Sequence, residues 1–341
     1  MQPKQVQDFL SKAVVTEGHP PVFLLGQPGV GKSSVVWQVV STVGKTLGDP
    51  SRCHGVDIRA ALLDPTDLRG IIIPKLGRAV WFPPGFLPPT ESDETWIVFF
   101  DELNLAPLLV QHACYQAILD KKIGEYKFPV HTFMIAAGNR VDDRAGVREM
   151  PSALRNRFCL INFETSIDAW CDWALANNVS AEMVAFLRLN VDLLFKFAPS
   201  KDLGAFATPR SIVFADRLWK IHEGQSYVWE AMEGCTGKEF AAKFSGYLRI
   251  YKEIPNVDGI LEGKIHTVPD RADLRFAVAA LVGTKAKTEH LEAAIRYANK
   301  LPPEQGTFLV QLIVRKPGML EPLRTSPAWK EWIKAHREFI V

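Results

Sequence analysis

The chain has 341 residues, of which 47% are hydrophobic and 23% charged, and its formal net charge at pH 7 is +2. This length predicts about two domains with a sizeable core, and the composition is typical of a globular protein. The near-neutral charge gives no general electrostatic reason to expect nucleic acid or a membrane surface as a partner.

The spacing of the cysteines and the lengths of the apolar segments indicate where in the cell we expect the protein. The five cysteines are scattered and include no C-x-x-C pair, which predicts reduced thiols in the cytoplasm. The first 16 residues contain no continuous apolar run, so we expect no signal peptide. No stretch of the sequence approaches the length of a transmembrane helix, so we expect no membrane partner.

The first predicted elements surround a glycine-rich loop. Apolar residues recur at helical spacing over residues 3–15, which predicts an amphipathic helix, and residues 22–25 form a short apolar run that predicts a buried strand. The next eight residues, Gly26-Gln27-Pro28-Gly29-Val30-Gly31-Lys32-Ser33, fit G-x-x-x-x-G-K-[ST] at every fixed position. Residues 34–40 then have the pattern of a helix.

This spacing is typical of a phosphate-binding loop. Glycines let successive backbone N–H groups curl around phosphate oxygens, and the amino terminus of a helix adds positive partial charge. Lys32 would reach the β- and γ-phosphates, and the Ser33 hydroxyl would bind Mg²⁺. The sequence therefore predicts a nucleotide-binding loop that consists of Gly26, Gln27, Pro28, Gly29, Val30, Gly31, Lys32, Ser33 and Ser34.

The rest of the first half alternates between strand and helix patterns. Strands are predicted over residues 55–59, 96–100, 132–137 and 158–163, a helix over 107–121, a turn over 64–70 and a short strand over 123–128. Apolar runs on both sides of residues 74–78 predict a β-hairpin within an insert at about 69–86. Apolar strands that alternate with helices predict an α/β fold with a parallel sheet covered on both faces.

From residue 166 onward, strand-like runs thin out and helical spacing takes over, as in Phe240, Phe244, Tyr247, Leu248 and Tyr251. We therefore predict an α/β core over residues 1–165, a helical domain over 166–262 and a helical extension over 263–341.

An acidic pair, Asp101-Glu102, ends the predicted strand at 96–100. In a chain with a phosphate loop earlier in the sequence, this is the expected place for Mg²⁺ coordination by Asp101 and for activation of the attacking water by Glu102. The alternative is a strand-terminal turn with two solvated carboxylates.

Five motifs occur in the order found in AAA+ ATPases: the phosphate loop, residues 99–104 (FFDELN), 136–140 (AAGNR), 151–158 (PSALRNRF) and 208–210 (TPR). The chain resembles this family, and its MoxR-like and dynein-related branch in particular. The resemblance implies that the α/β unit is a P-loop AAA+ core and that residues 166–262 are its all-helical lid. It also implies ATP and Mg²⁺ as cofactors.

The resemblance assigns roles to further residues. Asn139 matches sensor-1, a polar side chain that orients the lytic water. Arg157 matches the arginine finger that reaches the nucleotide of a neighbouring subunit, with Arg155 as the second candidate. Arg210 matches sensor-2 on the lid. For each arginine the alternative is a surface salt bridge. Family members often have Gln-Asn-Pro at sensor-1, whereas this chain has Gly138-Asn139-Arg140, and the sequence does not place the contact of Arg140.

The resemblance also implies an oligomer, most typically a hexameric ring, that remodels or activates a partner protein in a chaperone-like way. In this branch the partner commonly carries a von Willebrand A domain. The insert at 69–86 and a strand pair at about 124–133 would face the pore or the client, or else Ile71–Ile73, Trp81 and Phe82 pack on their own subunit. Two alternatives stay open: a motor on nucleic acid, which the near-neutral charge disfavours, and a nucleotide-gated scaffold with little hydrolysis, which Glu102 and Asn139 disfavour.

Overall fold

The structure, a computed structural model, describes residues 1–140, 152–196, 204–252 and 256–336. Backbone contacts divide the chain into two compact units, Met1–Ser166 and Ile167–Val341. The domain boundaries predicted from the sequence at 165/166 and 262/263 stay predictions.

Nine strands are present among the described residues of the first unit. They are β1 (Val22–Leu25), β2 (Cys53–Arg59), β3 (Ile71–Lys75), β4 (Arg78–Phe82), β5 (Thr95–Asp101), β6 (Lys122–Ile123), β7 (Tyr126–Lys127), β8 (Thr132–Gly138) and β9 (Cys159–Asn162). The helices of this unit are α1 (Pro3–Val14), α2 (Lys32–Thr46), α3 (Pro65–Arg69), α4 (Leu108–Asp120) and α5 (Ser152–Arg155).

Five of these strands form one parallel sheet in the order β2-β5-β8-β1-β9. The inner strands are almost continuous apolar runs because helices cover both faces of a parallel sheet; β8 is buried along its whole length. All five strands run the same way, so their carboxyl ends meet at one edge. The loops after β1, β5 and β8, with the predicted site residues, are therefore brought together there. The predicted α/β fold is confirmed.

Two short hairpins stand outside this sheet. Strands β3 and β4 pair antiparallel around a tip at Leu76 and Gly77, inside the predicted insert. Strands β6 and β7 pair antiparallel over residues 122–127. The prediction of a single strand at 123–128 is therefore wrong. The strand pair predicted around 124–133 is shorter than expected, because Thr132 and Phe133 belong to the core strand β8.

The predicted turn at 64–70 contains a short helix, α3. Asp64 is its N-cap and forms a capping box with Asp67, while Pro65 occupies the first helical position, where its missing N–H costs nothing. The residues that indicate a turn are also those that begin a helix, which explains the difference.

The described part of the second unit is helical, as predicted. Its helices are α6 (Ile167–Ala176), α7 (Ala181–Leu189), α8 (Pro209–Ile221), α9 (Val228–Thr236), α10 (Lys238–Lys252), α11 (Val257–Leu261), α12 (Ala272–Lys285), α13 (Leu291–Ala298), α14 (Pro303–Val314), α15 (Leu320–Thr325) and α16 (Pro327–Ala335). They share one apolar core. No described helix is both long and apolar enough to span a membrane.

Candidate functional site

The phosphate loop connects β1, an inner strand that lies between β8 and β9, to helix α2. Gly29 and Gly31 have φ values of +76° and +101°, a region that residues with a Cβ rarely adopt. Gly31 is the N-cap of α2, so the first-turn N–H groups of the helix begin at Lys32 and lack partners within the helix. A loop of this shape that leads into a helix amino terminus has the donor groups to bind phosphate oxygens.

Lys32 is 8% exposed and lies inside this loop. Its Nζ donates hydrogen bonds to the backbone oxygens of Gly26 at 2.6 Å and Gln27 at 2.9 Å, and to Asn139 Oδ1 at 3.0 Å. An ammonium group has three N–H donors. A phosphate that binds Lys32 would therefore compete with contacts that the lysine makes within the chain.

The acidic pair lies at the end of β5, next to the start of α2. The Ser33 hydroxyl donates to Asp101 Oδ2 at 2.7 Å, and the Glu102 N–H donates to Asp101 Oδ1 at 2.9 Å. Glu102 has a left-handed backbone (φ +55°) and an exposed side chain, an uncommon conformation for a residue with a Cβ. After the turn at the end of β5, Asp101 is therefore bonded to Ser33, whereas the Glu102 side chain is exposed to solvent.

Asn139 follows β8 and is held by a residue to which the sequence assigned no role. Asn104 donates from Nδ2 to Asn139 O at 2.7 Å and accepts from the Asn139 N–H at 3.2 Å. Asn104 is 4% exposed, and a Cβ on the neighbouring Gly138 would lie 2.2 Å from its Oδ1. Asn104 therefore fixes the backbone from which the Asn139 side chain reaches Lys32. Its only signal in the sequence is its place two residues after Glu102, within the quoted motif.

A third carboxylate influences the electrostatics of this edge. Asp57 lies on the edge strand β2, which pairs with β5, and burial together with the negative charge of Asp101 raises the pKa of Asp57 above its ordinary value. Arg59 opposes this shift from 3.6 Å. Negative potential near Asp101 favours a bound cation there. Among the described residues, no group of three or more His, Cys, Asp or Glu side chains is arranged to hold a metal ion.

The structure also places the predicted arginines. Arg155 ends α5, Arg157 precedes β9, and both are exposed along one open surface depression that also contains Asn156, Phe158 and Leu160. Arg210 is an exposed residue in the first turn of α8, in the second unit. Lys32, Ser33, Asp101, Glu102 and Asn139 are thus brought together at the sheet edge, whereas the three arginines lie elsewhere on the surfaces of their own units. Pro151 of the quoted motif, like the arginines Arg144 and Arg148, lies outside the described residues.

Comparisons with known proteins agree with this arrangement. Residues 21–158 match the family model described as AAA domain (dynein-related subfamily). No curated protein is similar enough in sequence to match the chain.

Similar solved structures include a RuvB variant of Thermotoga maritima (16% identity over 92% of this chain and 89% of that chain, TM-score 0.39). They also include NtrX of Brucella abortus in complex with ADP (13% identity, 91% and 67% covered, TM-score 0.42) and PCH-2 of C. elegans (11%, 82% and 68%, TM-score 0.34). At these values the likenesses are remote and carry no argument about function.

The fold, the phosphate loop and the family match define an ATPase of the AAA+ class. Within that class, residues 21–158 match the model of the dynein-related subfamily, which runs from the residue before β1 to the residue before β9. The resemblance inferred from the motifs is confirmed at this level.

Proposed function

We propose that this protein hydrolyses ATP in a Mg²⁺-dependent reaction, as a MoxR-like oligomer that remodels or activates a partner protein. The observation that carries the proposal is the cluster at the carboxyl edge of the sheet. There, Lys32 donates a hydrogen bond to Asn139 at 3.0 Å and Ser33 donates one to Asp101 at 2.7 Å, and Glu102 stands next to Asp101 with its side chain in solvent.

The residues at this edge fit a magnesium nucleotide. A hydroxyl and a carboxylate that already contact each other, Ser33 and Asp101, are oxygen ligands of the kind Mg²⁺ prefers when it keeps several waters. When bound, the ion would neutralise charge on the β- and γ-phosphates. The positive-φ glycines and the helix amino terminus supply backbone donors for the phosphates, and Lys32 supplies a cation once it leaves Asn139.

Movement of Lys32 away from Asn139 would also allow Asn139 to act as sensor-1. Its Oδ1 accepts from Lys32 in this structure, and a phosphate that takes over Lys32 would free this oxygen to accept from a water. The Asp101 side chain is bonded to Ser33, whereas the Glu102 side chain lies in solvent. Glu102 would accept the proton of that water or orient it for in-line attack. Asn104 would hold Asn139 in place throughout, because it bonds to its backbone and leaves its side chain available.

Exposure of the arginines supports an intersubunit site. Arg155 and Arg157 share one open surface depression, where a guanidinium is able to reach a nucleotide bound by a neighbouring copy in a ring, typically of six. Arg157 is the first candidate for this role and Arg155 the second. Arg210, which begins a helix of the second unit, would act as sensor-2.

The β3–β4 hairpin supports a protein as the partner. Ile71, Ile72, Leu76 and Phe82 are all more than half exposed on this hairpin, and exposed apolar patches mark protein contacts. A partner with a von Willebrand A domain fits the MoxR-like branch. All five cysteines are free thiols, which suits the reducing cytoplasm.

The catalytic part of the proposal is tested with Glu102→Gln. We expect ATP turnover to fall about 100-fold or more, because general-base assistance contributes on the order of 10²–10⁴, while ATP binding persists. Glu125→Gln, at another exposed glutamate of the same unit, is the matched control and should keep wild-type turnover. Turnover of Glu102→Gln equal to wild type would remove the assignment of Glu102.

The oligomeric part is tested by turnover against protein concentration. Specific activity should rise as subunits assemble, and Arg157→Ala should assemble but stay inactive. Mixing Arg157→Ala with Glu102→Gln should restore part of the activity, since some sites would then combine an intact Glu102 with an intact neighbouring Arg157. Activity per subunit that stays flat down to monomer concentrations would reject the ring.

A further inference from the structure

Arg140, the residue after Asn139, connects the end of β8 to the chain that follows β9. Its Nη2 donates to the backbone oxygen of Phe163 at 3.4 Å and lies 3.4 Å from Glu164 Oε1. The Arg140 side chain is 32% exposed, so this contact is partly shielded from water. Phe163 and Glu164 lie just before the last residue of the first unit.

Phe163 is in turn fixed against the start of the phosphate loop. Its N–H donates to Leu25 O at 2.6 Å, its side chain is buried, and its backbone oxygen would lie 2.8 Å from a Cβ on Gly26. Only glycine permits this approach. A shift of the Phe163 backbone would therefore shift Gly26, the first residue of the loop.

These contacts form a continuous ring of bonded and packed residues around the site. Lys32 bonds to Gly26 O and to Asn139 Oδ1, Asn139 is covalently joined to Arg140, and Arg140 bonds to Phe163, which lies against Gly26. A backbone hydrogen bond from Gly26 to Gly138 O spans the same gap at 3.2 Å. Arg140 thus adds a side-chain link that fixes the distance between the loop and the strand end that carries Asn139.

We propose that Arg140 is a positioning residue for ATP hydrolysis, which acts through Asn139 and Gly26 and touches neither ATP nor the attacking water. The proposal rests on the roles proposed above for Lys32 and Asn139. A phosphate that binds Lys32 would compete with the contacts of this lysine within the chain, and the link through Asn139 Oδ1 is one of them. The Arg140 link uses other atoms, so it persists and keeps Asn139 at its place when the reaction needs it.

The experiment compares the wild type with Arg140→Ala and Arg140→Lys by three readouts: kcat for ATP, the Kd for ADP and the melting temperature. Arg140→Ala should lower kcat about 10-fold or more, because small misplacements of a catalytic group cost up to about 10²-fold. The Kd for ADP should change less than about threefold, since ADP lacks the γ-phosphate near which Asn139 would act. Arg140→Lys should recover part of kcat, because an ammonium keeps the charge and the N–H donors but lacks the planar guanidinium that places Nη2 between Phe163 O and Glu164 Oε1.

Arg315→Ala is the matched control. Arg315, in the second unit, also donates to a backbone oxygen and a carboxylate, both of Asp172, and its side chain is likewise 32% exposed. It should leave kcat unchanged, although it removes the same kind of contact.

Wild-type kcat in Arg140→Ala, or equal losses of kcat and ADP affinity, would overturn the role of Arg140 while the proposed function stands. Loss of the folded state in both Arg140 variants would make the residue structural and would also overturn it. A wild-type protein without ATP turnover is a separate result that would reject the proposed function and this role together.

Discussion

The carboxyl edge of the sheet and the β3–β4 hairpin belong to one unit, but they differ in which side chains are buried and which are exposed. At the sheet edge, polar side chains are buried and bonded to one another: Lys32 to Asn139, and Asn104 to the backbone of Asn139. On the hairpin, apolar side chains stand in solvent, and Leu76 at the tip is 96% exposed. Each region contradicts the usual rule that polar groups are outside and apolar groups inside.

This difference in burial matches the two functions proposed for these regions, catalysis at the sheet edge and partner binding on the hairpin. Buried polar networks are costly unless every member is satisfied, and the polar groups at the sheet edge find hydrogen-bond partners within the chain. The exposed hairpin has its own strand pairing but leaves apolar surface uncovered, which is the observation behind the proposed partner outside the chain. Changes at the sheet edge should therefore alter turnover or stability strongly, and changes on the hairpin should leave basal turnover unchanged.

The largest effect is expected at Lys32. Lys32→Ala removes the cation of the phosphate loop and should lower ATP turnover by about 100-fold or more, the scale found when one group that stabilises transition-state charge is lost. Steady-state turnover checks this. Lys45→Ala, at an exposed lysine near the end of the same helix, should keep wild-type turnover and excludes a general effect of lost charge on α2.

A second, large effect on stability is expected at Gly138 and Asn104. Gly138→Ala places a Cβ 2.2 Å from Asn104 Oδ1, which should cost about 1–3 kcal/mol, the usual range for an overpacked core. Asn104→Ala leaves the Asn139 backbone groups without their partner, at a cost of about 1–3 kcal/mol. Because Asn104→Ala also removes the atoms that the new Cβ would meet, the double variant should be less destabilised than the sum of the two.

Denaturant unfolding of the wild type, both single variants and the double variant measures this coupling. Strictly additive losses would mean that Gly138 and Asn104 do not meet in the folded protein. Wild-type turnover in Asn104→Ala would in addition show that Asn139 needs no support.

The sequence predicted most of the fold from local patterns. The apolar runs of β1, β5 and β8 and the helical spacing of the second half are long enough to be read directly. The residue pattern gave a single strand at 123–128, and the family resemblance gave a strand pair at too late a position, because strands of two residues are too short to show a period of two. Helix α3 was missed because an Asp-Pro start is shared by turns and helices.

For the site, the sequence predicted those residues whose roles depend on spacing within one motif, such as Lys32 and Ser33. The positions of Asn104 and Arg140 depend on contacts with residues 35 and 23 positions away. Such contacts arise only when the sheet brings strand ends together, and no local pattern records them. The roles of the residues at the sheet edge remain predictions, for which the variants above are the test.

A smaller effect is expected in the other hairpin. Tyr126 of β7 is buried, and its hydroxyl donates to Pro88 O at 2.6 Å, which ties this hairpin to its own unit. Tyr126→Phe should lower the free energy of unfolding by about 1 kcal/mol, the usual net value of one hydrogen bond. Tyr227→Phe, at an exposed tyrosine of the second unit, should change it less. Equal changes would mean that the Tyr126 hydroxyl does not hold β6–β7 to its unit.

The smallest effect on stability, and the sharpest test of the exposed hairpin, is expected at Leu76. The two tip residues, Leu76 and Gly77, have φ values of +50° and +72°, a turn that favours Asn-Gly because leucine is strained at positive φ. The leucine therefore costs local stability, and its exposed side chain recovers nothing from its own chain. Both facts are explained if Leu76 serves a contact with a partner.

Leu76→Asn should accordingly raise the melting temperature slightly or leave it unchanged, and basal ATP turnover should stay at the wild-type level. Gly77→Ala is the opposite change in the same turn and should lower the melting temperature, since alanine is strained at that φ. A clear loss of stability in Leu76→Asn would show that the leucine packs on its own subunit. That result would contradict the proposal that the hairpin is a partner surface.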